Sequence, residues 1–447
     1  MGYRLIRALW GDFSREELKK FSLLALGFFF LIGSFWPLKI LKDGIFINLV
    51  GSRYQPDAKI LSLFIFFPIV LLFSKLVDFF SKEKLIYFFV GLYGSIGFLF
   101  VYLLKHPTIG LANIEQGPHR LLGWFFYLFV ESYISVMVSL YWAFINDVTT
   151  PESAKRGYGF LIFGSQFGAV VFILLGNYLS RDISMYASRV PIIAFISIIL
   201  FFCVALVAFI LTKVVSREEL EGYKTKKVAK EKENKKKSVG FWEGLKVLLK
   251  FPYVGGIFGM VFFHEVVSAL MYYQMLRTVE FTYLPNRGLV NKFLFDFTLI
   301  MQSISCLFAL FGTSYFQRKF GVKGCLVAYP FLLGICVSLY LFNPTLAFIT
   351  GVMIIAKGIN YVLNQPAKEM LYIPTTHAIK YKSKAWIDMF GLRASKVGGS
   401  LVNKSIGVAS KLTASISLGL IVVWILLARS VGSHHKKVVK KGDRIGM

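Results

Sequence analysis

The chain of 447 residues is 56% hydrophobic and carries 51 Lys+Arg against 24 Asp+Glu, a formal charge of +27. Apolar runs near the ~20 residues that a bilayer crossing needs follow one another, which excludes a water-soluble globular domain and indicates a polytopic helical membrane protein. The basic residues lie in loops and tails between those runs, so the charge reads as a positive-inside signal and argues against a nucleic-acid partner.

Residues 1–20 set Leu5, Ile6, Leu9, Trp10 and Phe13 against Arg4, Arg7, Arg15 and Lys19. This pattern predicts an amphipathic helix on the cytoplasmic membrane surface or, more plainly, a solvated helix cap. No cleavable signal pattern is expected, and Ile6 stands where N-myristoylation wants Ser or Thr. Six spans are predicted next, at 21–41, 59–80, 84–104, 121–146, 158–179 and 190–213, forming an N-terminal bundle over 21–213. The stretch 214–250 is rich in lysine interleaved with glutamate and reads as a solvated cytoplasmic linker ending in an amphipathic helix at 241–250. Spans at 252–276, 289–315, 322–342, 344–364, 386–410 and 413–428 then form a C-terminal bundle over 251–429. The tail 430–447 is basic. A metal site at His434-His435 is conceivable there, but a solvated tail is the expected reading.

The connections rich in Lys and Arg, the linker and both termini fall on one side, which the positive-inside rule assigns to the cytoplasm. The predicted fold is therefore an all-α membrane protein of about twelve transmembrane helices in two six-helix halves. That is a major-facilitator-like plan, in which a substrate site is expected between the halves at mid-membrane. Cys203, Cys306, Cys325 and Cys336 lie in or beside apolar runs without metal-ligand spacing. No phosphate-binding glycine loop, HExxH or GxSxG pattern is present, so neither catalysis nor a cofactor is expected.

Charges inside the spans carry the functional signal, because each costs about 2.5–3.5 kcal/mol at mid-bilayer. Lys39, Lys42 and Asp43 close the first predicted span; Glu131 sits midway along the fourth, with Asn146 near its end. His264 and Glu265 lie in the seventh, and Lys357 and Asn360 in the tenth. Asp388, Arg393 and Lys396 recur at helical spacing in the eleventh. Each group reads either as a helix-clamping ion pair or as the lining of a wet cavity. Cations from both halves facing one cavity would attract an anion of several charges, such as a polyphosphate. Tyr133, Trp142, Tyr272 and Tyr273 are candidates to stack a base, although packing bulk is the plain reading for any one of them.

The stretch from Asn364 to Lys404 is the most distinctive. It holds Lys368-Glu369, Tyr372-Ile373-Pro374, then Lys384-Ala385-Trp386-Ile387-Asp388, then Lys396 before Gly398-Gly399. With Ile40-Leu41-Lys42-Asp43, Glu131, the run 142–146, Thr149 and Glu152 to Arg156, it closely resembles the nucleotide transporter (ATP/ADP translocase) family of obligate intracellular bacteria and plastids. The resemblance covers nearly the whole chain. It implies exchange of nucleotides across a membrane, typically external ATP for internal ADP, with other nucleotides, NAD or phosphate carried by some members. The family's transport-critical charges fall on Lys42, Glu131 and Lys396. Its fourth, a seventh-span glutamate, is replaced by Tyr272, and Glu265 stands two turns earlier on roughly the same face. Lys39 replaces a family arginine. The expected substrate-binding set is Lys42, Glu131, Lys396, Arg393, Asn146, Lys39, Asp388, Glu265 and Tyr272.

The resemblance implies a nucleotide partner, membrane lipid around the bundle, no nucleic acid, a bacterial inner membrane, and a monomer as sufficient. Two alternatives stay open. One is a proton- or ion-coupled carrier of another nucleotide, NAD or a phosphate-type anion that uses His264-Glu265. The other is a non-transporting membrane partner on a degenerate carrier fold.

Overall fold

The computed structural model describes residues 13–149, 151–216, 220, 241–311, 313–372, 374–375, 379, 383–407 and 410–441. Residues 1–12 and, of the basic linker, 217–219 and 221–240 lie outside that set. Helices account for most of the described chain, and among the described residues eight are long and apolar enough to cross a membrane.

Helix α1 covers Arg15–Leu49. A capping box starts it: the Glu17 amide donates to Ser14 Oγ at 3.1 Å, and the Ser14 amide donates to a Glu17 carboxylate oxygen at 3.2 Å. Two orphan donors are thus satisfied, so residues 15–20 run without a break into the first span. The helix passes Pro37 and continues through Lys42 and Asp43, both nearly fully buried. Sequence alone places those charges at the end of the span. Their ion pairs offset the desolvation that would otherwise break it.

Helices α2 (Gln55–Phe79), α3 (Lys82–Lys105), α4 (Leu121–Asp147), α5 (Pro151–Leu179) and α6 (Tyr186–Val214) follow. Helix α7 (Phe241–Lys250) precedes α8 (Pro252–Tyr283), α9 (Arg287–Phe311), α10 (Thr313–Phe342) and α11 (Leu346–Ile359). Helices α12 (Gln365–Leu371), α13 (Leu392–Ile406) and α14 (Ser410–Lys441) complete the chain. In α7, Leu248 packs with Val254, Val261, Ile379 and Ile387, whereas Leu249 is exposed. The tail expected to be solvated is helical through Lys441, with His435 buried. No metal-holding group of His, Cys, Asp or Glu exists among the described residues.

The chain divides into two compact units. The first comprises 1–51, 64–236 and 283–302. In it α1 packs against α4, α5 and α6, and α3 packs against α4 and α6. The α1–α5 contact rests on a small-x-x-x-small pair, Gly164 and Gly168. A Cβ on Gly168 would lie 2.3 Å from the Phe29 carbonyl oxygen, and one on Gly164 3.1 Å from the Ala25 Cβ. Backbones therefore touch here, and only glycine fits at 168. Buried hydroxyls complete the packing: Tyr141 donates to the Leu24 carbonyl at 2.9 Å, and Ser34 and Tyr133 share a hydrogen bond of 2.8 Å. The 283–302 segment joins this unit through Asn291 to Ser180 at 3.1 Å and Asn177 to Asp296 at 2.5 Å.

The second unit comprises 52–63, 237–282 and 303–447. Helix α10 packs against α11 and α14, and α13 contacts α14. The 52–63 segment is held by Asp57, which pairs with Lys404 at 2.6 Å. It is also held by Ser52, whose amide and hydroxyl both donate to buried Glu280. Arg277 pairs with the same Glu280 at 3.0 Å.

Candidate functional site

Each unit holds a group of charges that pairs a candidate lysine with a carboxylate from another helix. In the first, Lys42 of α1 forms an ion pair with Glu131 of α4 and lies 3.5 Å from Asp43. Its ammonium also sits 4.3 Å from the Tyr127 ring centroid, one turn from Glu131, a cation–π contact that suits a desolvated cation. The Lys42 side chain is 5% exposed and that of Glu131 35%, so the carboxylate is the water-facing end of the pair. Lys39, one turn before Lys42, packs its ammonium 4.4 Å from the Trp36 ring.

In the second unit Glu265 of α8 is the hub. Its carboxylate lies 3.9 Å from Lys396 Nζ on α13 and 3.9 Å from His264 Nε2. Lys357 of α11 and Lys368 of α12 also act on it electrostatically. Lys368 in turn lies 4.0 Å from Asp388. One largely buried carboxylate thus answers several cations, and the local excess is positive. Lys396 is 57% exposed at its side chain, so it presents its charge to solvent while resting on Glu265.

Two π-helical turns explain how the distinctive motif is shaped. Asn360–Asn364 and Ile387–Gly391 each insert one residue into the helical register. The first joins α11 to α12. The second lies immediately before α13, and Asp388 within it stands 4.0 Å from Lys368. Gly391 ends that turn against Phe258, where a Cβ would meet the ring at 2.8 Å. Of the glycine pair, Gly399 is the one that packing demands: its Cβ would lie 2.8 Å from the Ala269 Cβ and 3.1 Å from the Val266 carbonyl oxygen. Around Gly398 only ordinary contacts of 3.8 Å and more arise. Gly399→Val is therefore expected to reduce folded protein strongly, and Gly398→Ala to leave it unchanged, as read by size-exclusion yield and Tm.

The other candidates fall elsewhere. Asn146 lies roughly 22 Å along α4 from Glu131 at 1.5 Å per residue, and its exposed side chain accepts from the Tyr158 hydroxyl. Arg393 stands one turn before Lys396 on α13, half-buried. Tyr272 lies two turns beyond Glu265 on α8, with the Lys59 ammonium 5.5 Å from its ring. Tyr133 and Tyr273 are buried to within 2–3%, so neither is open to stack a base. Trp142 packs edge-on against Phe28 at 5.2 Å. Sequence reading left Lys357 and Lys368 out of the site. Lys357 was legible as a lone charge in an otherwise apolar helix, and Lys368 as part of the motif.

A family model described as TLC ATP/ADP transporter matches residues 120–343 and 332–435. The chain belongs to the TLC ATP/ADP transporter family. Relatives include ADP,ATP carrier protein 1 of Rickettsia prowazekii (strain Madrid E), 22% identical over 98% of both chains. ADP,ATP carrier protein 1 of Chlamydia pneumoniae is 25% identical over 95% of this chain and 92% of that one. Among solved structures, a bacterial homologue of the iron transporter ferroportin superposes with TM-score 0.64 at 11% identity, covering 93% of this chain and 99% of that one. The nucleoside transporter NupG superposes with TM-score 0.59 at 13% identity, covering 94% of this chain and 99% of that one. These likenesses give this family member the all-helical, major-facilitator-like fold of a multi-pass membrane transporter. It is a transporter and not an enzyme.

Proposed function

We propose that this TLC-family transporter exchanges nucleotides by alternating access, with ATP and ADP as the principal pair. Lys42 and Lys396 hold the phosphates, and Glu131 and Glu265 neutralise them when no substrate is bound. The observation that carries the reading is that each of these lysines rests on a carboxylate from a different helix of its own unit. Phosphate oxygens then exchange one anionic partner for another, so neither Lys42 nor Lys396 is left without an anion at either stage. Arg393, one turn from Lys396, adds a second cation of bidentate geometry. Exchange of ATP for ADP moves about one net charge, worth roughly 2.3 kcal/mol per 100 mV, so gradients suffice without hydrolysis. The Lys/Arg-rich connections support a bacterial inner membrane with both termini cytoplasmic.

The test is reconstitution. Liposomes preloaded with ADP should take up labelled ATP, and empty liposomes should not. NAD, phosphate and other nucleotides added outside rank the substrates by competition. Uptake that ignores internal nucleotide would overturn exchange.

A second reading, proton-linked transport, is favoured by one specific contact. The Tyr329 hydroxyl donates to the Ala356 carbonyl at 2.9 Å, so at 3.0 Å it accepts from His264 Nδ1–H. That network assigns the proton to Nδ1 and leaves Nε2, facing Glu265, as the titrating atom. The groups around it are Glu265, Tyr329, Lys357, Lys368 and Lys396. A proton on Nε2 gives Glu265 a second cationic partner and loosens its hold on Lys396. Substrate affinity is then expected to rise only in acidic solution, and His264→Gln to flatten that rise. A pH-independent Km in the parent protein would dismiss the coupling.

A further inference from the structure

We propose that a groove between α10 and α14 is a binding site for one anionic phospholipid. The groove is a cavity of about 790 Å³ lined by residues of these two helices only. It begins where Gly321, at φ +66°, ψ 173°, breaks α10 and the helix restarts at Val322. That backbone conformation suits glycine and lets the chain turn sharply at the cavity mouth.

Arg429, Lys436 and Lys440 enter the cavity from α14, and Lys323 enters from α10. The three α14 cations recur at i, i+7 and i+11, one face of the helix. Gly432 lies on the same face and brings the helices together: a Cβ there would meet the Lys323 side chain at 2.9 Å. Among the described lining residues none is acidic. Four cations thus line one cavity without a carboxylate among the described lining residues, unlike the charge groups around Lys42 and Lys396, which each contain at least one.

The apolar part of the lining decides the ligand class. Phe331 and Val439 are 56% and 55% exposed and line the same cavity. Phe331 lies about 12 Å along α10 from Lys323, toward the helix's apolar middle. A free phosphate or nucleotide would satisfy the cations and leave this wall wet. An anionic phospholipid fits both, with its phosphate among the cations and the start of an acyl chain along Phe331. A volume near 790 Å³ accommodates a headgroup with its glycerol and the first methylenes.

The test uses the purified full-length protein in detergent, with bound lipid counted by native mass spectrometry. Phosphatidylglycerol should bind at one site in preference to phosphatidylcholine of equal chain length, by roughly tenfold. Lys436→Gln/Lys440→Gln should remove most of that preference without changing Tm in lipid-free detergent. Lys437→Gln, whose side chain is outside the cavity lining, should keep it. Equal binding of the two lipids would overturn the proposal. So would equal loss from Lys437→Gln, which would indicate general surface attraction, or glycerol phosphate competing at the same concentration as the lipid, which would indicate a soluble-anion site. None of these readouts depends on nucleotide transport.

Discussion

Lys42→Ala is expected to abolish ATP/ADP exchange and also to lower the Tm of the purified transporter, whereas Lys396→Ala should abolish exchange and leave Tm nearly unchanged. The difference follows from burial. The Lys42 side chain is 5% exposed and is the counter-charge of both Glu131 and the almost fully buried Asp43. Removing one partner of such a group costs about 3–5 kcal/mol, because the remaining charges lose their compensation inside the protein. The Lys396 ammonium is 57% exposed and 3.9 Å from its carboxylate, a geometry worth about 0–1 kcal/mol. The double variant Lys42→Ala/Asp43→Ala should therefore regain much of the lost stability while remaining inactive. Thermal unfolding in detergent and labelled-ATP uptake into ADP-loaded liposomes separate the two quantities. Full uptake by either single variant would remove that lysine from the phosphate-binding role.

The second large effect concerns assembly of the first unit. Gly168→Ala is expected to destabilise far more than Gly164→Ala, although both replace one hydrogen by a methyl in the same small-x-x-x-small pair. At 168 the new carbon would stand 2.3 Å from the Phe29 carbonyl oxygen, a backbone atom that cannot turn aside. At 164 it would meet the Ala25 methyl and carbonyl oxygen, both at 3.1 Å, where a shift of a few tenths of an ångström suffices. Overpacking of a close helix contact costs about 1–3 kcal/mol, and the clash at 168 belongs at the upper end or beyond. The measurement is Tm and monodisperse yield of the two variants side by side. Equal Tm values would show that α1 and α5 can move apart freely, and the close backbone contact would then contribute little to stability.

The outcome for the charged residues shows why sequence reaches some of this chemistry and not the rest. Lys42, Glu131, Glu265 and Lys396 were visible because each interrupts an apolar run, where a charge needs a compensating reason to exist. Which carboxylate answers which lysine was not visible, since the partners lie 89 residues apart for Lys42 and Glu131. Asn146 and Tyr272 share helices with Glu131 and Glu265, and only the rise along the helix shows how far along they stand. Nor was the approach of Lys368 to Asp388 visible: the two lie 20 residues apart, on either side of a connection whose path sequence periodicity does not give. The tail from Arg429 reads as solvated because its composition is basic, yet one face of it packs on α10 and the helix persists to Lys441.

Composition and the length of the apolar runs by themselves determined that this protein is an all-helical membrane protein, and the ordered polar positions from Lys368 to Gly399 pointed to its transporter family. Those are properties of local hydrophobicity and of residue order, which need no neighbour in space. Tertiary structure alone decided that Lys42 is a buried ion pair and Lys396 a solvent-facing one, that Gly399 rather than Gly398 touches the facing helix, and that four cations of α10 and α14 share one cavity. The reason is that burial and charge pairing are set by which helices lie side by side, and that arrangement is written in contacts between residues remote in sequence.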